Sequence, residues 1–201
     1  EKLLRDAIFT KAHNEVRACA ALAWGLSRNP ACFDMAGPIA NADNSSRARA
    51  AGQVGLGISH HESAIFELER GIKLKSYEQV REFAAYGLGV LKDEDGLSEL
   101  SEALEDSNIS VREAAAISYG AMRPGKASEA LTEMAEGDAN FGVRRIASIS
   151  LILIGDVKGY EHLIESFKGR GDSSVREMGY IELTEVSNMY IPLGFKIDDY
   201  M

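Results

Sequence analysis

The chain has 201 residues, 45% of them hydrophobic and 26% charged, with a formal net charge of −9. Such a composition belongs to a folded, soluble protein, and the acidic balance argues against the basic footprint by which proteins hold DNA or RNA. No stretch approaches the roughly 18 consecutive apolar residues of a membrane span, since the longest run, Ile146 to Ile154, is interrupted by Ser148 and Ser150.

The first residue is Glu1 rather than Met, which reads as a processed product or an excised piece. A cytoplasmic location is slightly favoured, and a removed signal peptide would leave no trace. Cys19 and Cys32 are expected to be unpaired thiols, pairing being the alternative if helices bring them together.

In chain order, Leu3, Leu4, Ala7 and Ile8 give residues 1–11 the stripe of an amphipathic helix. A polar turn, Ala12 to Glu15, opens a second helix, Val16 to Gly25, which Asn29-Pro30 ends. The second unit has Phe33, Met35 and Ile39 in an outer helix, a turn from Asn41 to Ser45, and an inner helix from Arg47 to Gly57. Gly52, Gly55 and Gly57, each costing about 1 kcal/mol against alanine, mark that inner helix as the least stable layer. The third unit runs through Ile65, Leu68 and Ile72, turns near Ser76 and continues from Val80 to Gly89. Leu97, Leu100 and Leu104 begin the fourth, which turns at Asp106-Ser107-Asn108, continues from Val111 to Gly120 and is broken by Arg123-Pro124-Gly125. The fifth has Ala127, Ala130, Leu131 and Met134, a turn from Gly137 to Asn140, and an inner helix from Val143 to Ile154. Tyr160, Leu163, Ile164 and Phe167 precede the sixth inner helix, Val175 to Val186, and the apolar stretch after Met189 either caps that layer or begins a seventh unit.

The inner helices share one pattern: an arginine, small residues three and four places later, an aliphatic or aromatic residue at seven and often glycine at eight. The arginines are Arg17, Arg47, Arg81, Arg112, Arg144 and Arg176, in steps of 30, 34, 31, 32 and 32 residues. A period near 32 means stacked helical hairpins, none of which can bury its apolar face alone. The expectation is one all-α array over 1–201, a right-handed α-solenoid with units at about 1–28, 29–59, 60–92, 93–124, 125–155 and 156–188. Small residues at plus three, four and eight let neighbouring helices approach closely. An arginine in the first helical turn can bond turn carbonyls or a carboxylate of the adjacent layer.

Hairpins of this length, with Asp in the turn, Val-Arg opening the second helix and Ala-Ala and Gly following, resemble HEAT repeats, in particular the short type of the phycobilisome-lyase-like proteins. The resemblance covers Glu1 to about Asn188. It implies a structural ladder of turn aspartates and motif arginines, matched here by Asp106 with Arg112 and Asp138 with Arg144, whereas Asp43 with Arg47 and Asp172 with Arg176 are spaced by four. The third unit has no aspartate in its turn, and the sixth has Tyr180 where a small residue is expected.

No catalytic constellation stands out, and no cofactor or metal is called for. His60-His61-Glu62 is a single His-Glu pair, while the HEAT-type deoxyhypusine hydroxylases hold two irons on several, so a capping turn is the expectation. The acidic runs Asp93-Glu94-Asp95 and Glu102 to Asp106 read as solvated faces.

At 100° per residue, positions two, five and nine after each arginine point away from the core. They read Cys19, Leu22 and Leu26; Arg49, Gly52 and Leu56; Phe83, Tyr86 and Val90; Ala114, Ile117 and Ala121; Ile146, Ile149 and Leu153; Met178, Ile181 and Glu185. The resemblance puts the second helices on the concave side, so these columns imply an apolar groove rimmed by Glu82, Glu113, Arg145 and Glu177, or a tight superhelix or dimer that buries it. The expected function is a non-enzymatic scaffold that holds a protein or peptide there, a second copy of the chain included. The alternative is a HEAT-type enzyme or enzyme subunit, lyase-like or metal-dependent, with a small molecule or chromophore in the same groove.

Overall fold

The computed structural model describes residues 13–27 and 33–168; these contain helices and turns and no strand. The motif-bearing helices among them are α1 (Asn14–Ser27), α3 (Ser46–Ser59), α5 (Glu78–Leu91), α7 (Ile109–Met122) and α9 (Phe141–Leu153). Outer helices alternate with them: α2 (Phe33–Ala42), α4 (Ala64–Ile72), α6 (Leu97–Ala103), α8 (Ala127–Gly137) and α10 (Lys158–Lys168). The sixth inner helix, the segment after it, and Cys32 lie outside the described residues.

Three of the inner helices, α3, α7 and α9, begin where a tripeptide of the form Asp-x-Asn or Asp-x-Ser supplies the hydrogen bonds that a helix start lacks. Asp43 accepts from the Ser45 amide, Asp106 from that of Asn108 and Asp138 from that of Asn140, at 2.8, 2.8 and 2.7 Å. The third residue then caps the helix: Asn108 accepts from the Ser110 and Val111 amides, Asn140 from those of Gly142 and Val143, and Ser45 from that of Ala48. Lys75-Ser76-Tyr77 breaks the rule, and Tyr77 caps α5 with no side-chain bond. The far ends are equally periodic. His60, Lys92 and Arg123 have φ of 50°, 57° and 52°, and Gly155 has 88°, a left-handed residue after each of α3, α5, α7 and α9.

The chain divides into two compact units, Glu1–Ser118 and Tyr119–Met201. In the first, α3 packs between α1 and α5, with α2 lying against α3 and α4 against α5. The core is aliphatic: Leu56, Leu68, Val80, Leu88, Leu100 and Val111 are all fully buried. In the second, α8, α9 and α10 pack on one another around Leu131, Val143 and Leu151.

Gly52, Gly55 and Gly57, read from sequence as a weakness of the second layer, are where it touches its neighbours. A methyl on Gly55 would fall 2.5 Å from the Ala21 carbonyl oxygen, one on Gly57 2.4 Å from that of Gly87, and one on Gly52 2.7 Å from the Ala40 backbone. The helical propensity lost at each glycine is thus offset by backbone-to-backbone packing that no side chain permits. Gly25 against Gly55 and Gly89 against Ser118 repeat the contact within the first unit, as Gly120 against Ser150 does in the second.

These contacts correct the register of the second repeat. Gly57 and Gly55 occupy the places of Gly89 and Gly87, so the arginine of the motif is Arg49, and Arg47 is an exposed residue paired with Glu15 at 3.2 Å. The steps then become 32, 32, 31 and 32 from Arg17 to Arg144. Asp43 also falls six residues before its arginine, like Asp106 before Arg112 and Asp138 before Arg144.

In the first unit, Arg17 and Arg81 each reach the turn of the following repeat. Arg17 donates through Nε and Nη2 to Asp43 at 2.5 and 2.8 Å, and Arg81 in the same way to Asp106 at 2.8 and 3.0 Å. The Asp106 carboxylate therefore faces Arg81, while Arg112 donates to the Asp106 main-chain carbonyl at 2.8 Å; Arg144 likewise donates to the carbonyls of Asp138 and Ala139. Arg81 makes both kinds of bond, its Nη1 reaching the carbonyls of Leu74 and Lys75. A long side chain in the first turn can bridge its own turn and the next one, which is why each pairing spans about one repeat. One rung is different. Lys75 stands where the third turn would carry its aspartate, and Arg49 stacks over the Tyr77 ring at 3.6 Å with its buried Nε unbonded.

Candidate functional site

With the register corrected, positions two, five and nine of α3 are Ala51, Val54 and Ile58, all half-buried, whereas Gly52 and Leu56, placed there by counting from Arg47, are buried in the core. The outward column of the first unit then reads Cys19, Leu22, Leu26, Ala51, Val54, Ile58, Phe83, Tyr86, Val90 and Ile117 as accessible or half-buried side chains, with no charge among them. Leu26 is 69% exposed. Ala114 is buried, a small residue overtopped by its larger neighbours.

A groove of about 920 Å³ opens on this face, floored by Leu22, Ala51, Val54 and Phe83 and edged by Glu15, Arg47 and Gln79. The Phe83 and Tyr86 rings lie 6.0 Å apart at 57°, an aromatic pair one helical turn long. Beside them sits Glu82. Burial first, and then the charge of Glu113, push its carboxyl above the ordinary value. Burial together with Glu82 and Glu113 pushes the Tyr86 hydroxyl up to about 12. Both shifts have desolvation as their first cause, on a face that is otherwise apolar.

In the second unit, Ile146 and Leu153 are half-buried, but Ile149, expected on the open face, is 3% exposed and belongs to the core. A wheel drawn for one helix cannot count the shielding contributed by elements packed on either side of it. Met178 and Ile181 lie outside the described residues.

The sequence profile of HEAT repeats matches residues 68–152 and 97–184, which together span more than half of the chain. The chain belongs to the HEAT-repeat family. It is similar in structure to a chain of the complex of CpcE and CpcF of phycocyanin lyase from Nostoc sp. PCC7120, with a TM-score of 0.64 over 89% of this chain and 74% of that one. Sequence identity there is 20%, so the likeness speaks for the α-solenoid fold. No curated protein matches the chain.

Within this HEAT array the His60-His61-Glu62 segment is a turn. His60 is the left-handed residue after α3, and the His61 ring stacks on Phe33 at 4.3 Å while its Nδ1 accepts from the Ser63 amide. Among the described residues no three His, Cys, Asp or Glu side chains converge as metal ligands, and no helix is long and apolar enough to cross a membrane. Cys19 is an exposed free thiol at the groove. The residues that counting from Arg47 missed, Ala51, Val54 and Ile58, had a signal in the sequence: the six-residue interval from turn aspartate to arginine points from Asp43 to Arg49.

Proposed function

We propose that this HEAT array is a non-catalytic scaffold that binds a protein or peptide across the inner-helix face of its first unit. The observation that carries the reading is the uncharged column from Leu22 through Val54 and Phe83 to Ile117, half-buried on a surface that a helix ordinarily gives to polar residues. Aliphatic and aromatic anchors set in a groove are what a partner helix or extended segment uses. The similar solved structure adds support, since it is a complex of two proteins.

A second reading has its own observation. The relative is a phycocyanin lyase, and a groove of about 920 Å³ is of a size that holds small molecules. On that reading the chain is an enzyme subunit, and Phe83 and Tyr86 stack on a chromophore.

The two separate by photo-crosslinking. A benzophenone side chain in place of Val54 should yield a protein adduct, and one in place of the exposed Ser98 on α6 should not. A small-molecule adduct selects the second reading, and equal protein adducts from both positions refute the scaffold. Val54→Asp, at a half-buried position, should cost about 1 kcal/mol of stability and abolish association.

A further inference from the structure

We infer that the partner presents a cation to this face: a lysine or arginine of a basic amphipathic segment seats against Glu82 beside the Phe83 and Tyr86 rings, while its apolar side chains enter the groove of Leu22, Ala51 and Val54. The inference rests on the scaffold reading and adds the chemistry of the occupant.

Charge complementarity is its basis. Glu15 and Arg47 line the groove, and Glu82 stands beside it with Glu113 as its charged neighbour. Glu15 and Arg47 neutralise each other across the rim. Glu82 is half-buried on α5 and makes no hydrogen bond or ion pair with any described residue, and its electrostatic neighbour is a second carboxylate, Glu113. A carboxylate partly removed from water and set beside another is destabilised, and a cation delivered by a partner relieves both terms at once. The rings strengthen the same preference. The faces of Phe83 and Tyr86 carry negative charge density and attract an ammonium or guanidinium, whereas an acidic partner would meet the Glu82 carboxylate and two ring faces of its own sign. The chain's net charge of −9 steers the same class of partner toward it.

The test uses the full chain and three synthetic amphipathic helices of about 18 residues, five turns, with one leucine pattern and lysine, glutamine or glutamate at every polar position. Binding is read by fluorescence anisotropy at physiological ionic strength. The lysine helix should bind about tenfold more tightly than the glutamine helix, and the glutamate helix more weakly than either. Glu82→Gln should cut the lysine-to-glutamine ratio by at least about threefold, while Glu133→Gln, the same loss of charge at an exposed site on α8, should leave it unchanged. Phe83→Leu, which keeps the apolar contact and removes the ring, should lower the ratio as well.

Equal losses in the two glutamate variants would reduce the preference to net charge and overturn the inference. If lysine and glutamine helices bind equally and Val54→Asp abolishes both, the cation site falls and the scaffold reading stands. If the lysine helix binds undiminished to Val54→Asp, it binds elsewhere and both fall. Binding by none of the helices also overturns the inference, and the crosslinking experiment then decides the scaffold reading alone.

Discussion

Lys75→Asp should stabilise the protein, because it supplies the one carboxylate that the ladder lacks. Position 75 lies six residues before Arg81, as Asp43 does before Arg49 and Asp106 before Arg112, and the two aspartates pair with Arg17 and Arg81 of the preceding repeats. By the same geometry a carboxylate at 75 faces Arg49, whose Nε is buried without a partner. A charge-assisted pair of this kind is worth about 1.5 to 3 kcal/mol. Against it stands the stacking of Arg49 on Tyr77, about 0.5 to 1 kcal/mol if lost. Lys75 itself is exposed and its side chain contributes little to packing. The net gain is about 1 to 2 kcal/mol, a rise in Tm of roughly 3 to 6 °C for a chain of this size. Urea and thermal melts followed by circular dichroism measure it. Lys75→Asn is the control, since it places a polar side chain of the same size there and cannot form the ion pair, and a double-mutant cycle with Arg49→Ala isolates the coupling. A Lys75→Asp variant no more stable than Lys75→Asn, or a coupling near zero, would refute the reasoning and show that the rung is filled adequately by the aromatic ring.

Arg81→Ala should cost about 3 kcal/mol, because it strands the nearly buried Asp106 carboxylate and frees two turn carbonyls; an unchanged urea midpoint would count against the ladder. Gly57→Ala must displace α3 from α5 and should lower Tm sharply, whereas Gly137→Ala, where an added methyl meets nothing within 4 Å, should be neutral or stabilise by up to about 1 kcal/mol. At Asp43 and Asp106, burial pushes the carboxyl up, but hydrogen bonds from Arg17 or Arg81 and from a turn amide outweigh it and hold each below the ordinary carboxylate value. A folded pKa below the unfolded one gives stability that is present above the unfolded value and lost as the pH falls through the folded one. Acid melts below about pH 4 should therefore steepen in the parent chain and flatten in Arg17→Ala and Arg81→Ala. Glu82 has the opposite sign: its raised folded pKa costs stability at neutral pH and releases that cost as the proton is taken up. Glu82→Gln should therefore raise the neutral-pH Tm, by an amount that shrinks as the pH falls into the carboxylate range.

Much of this architecture is written locally and can be read from sequence. The period, the alternation of outer and inner helices, the Asp-x-Asn turns and the aliphatic or aromatic core column at plus seven, with Trp24, Leu88, Tyr119 and Leu151, are each set by residues within one hairpin. Helix caps and helical periodicity act over a few residues, so one repeat suffices to show them and the next confirms them. What needed the tertiary structure was every relation between hairpins. Arg47 and Arg49 both open a plausible helix, and the contacts of Gly55 with Ala21 and Gly57 with Gly87 decide for Arg49, as the interval from Asp43 suggests. Asp106 has an arginine six residues ahead in its own hairpin, yet its carboxylate goes to Arg81, 25 residues back, because the turns of successive repeats are stacked. Ile149 has the phase of an exposed residue and the burial of a core one. Glu82 reads in sequence as one more charged rim residue, and its character comes first from the water that the surrounding side chains exclude and then from Glu113, a carboxylate 31 positions away. Helical phase fixes where a side chain points, and the neighbouring layer decides what it meets there.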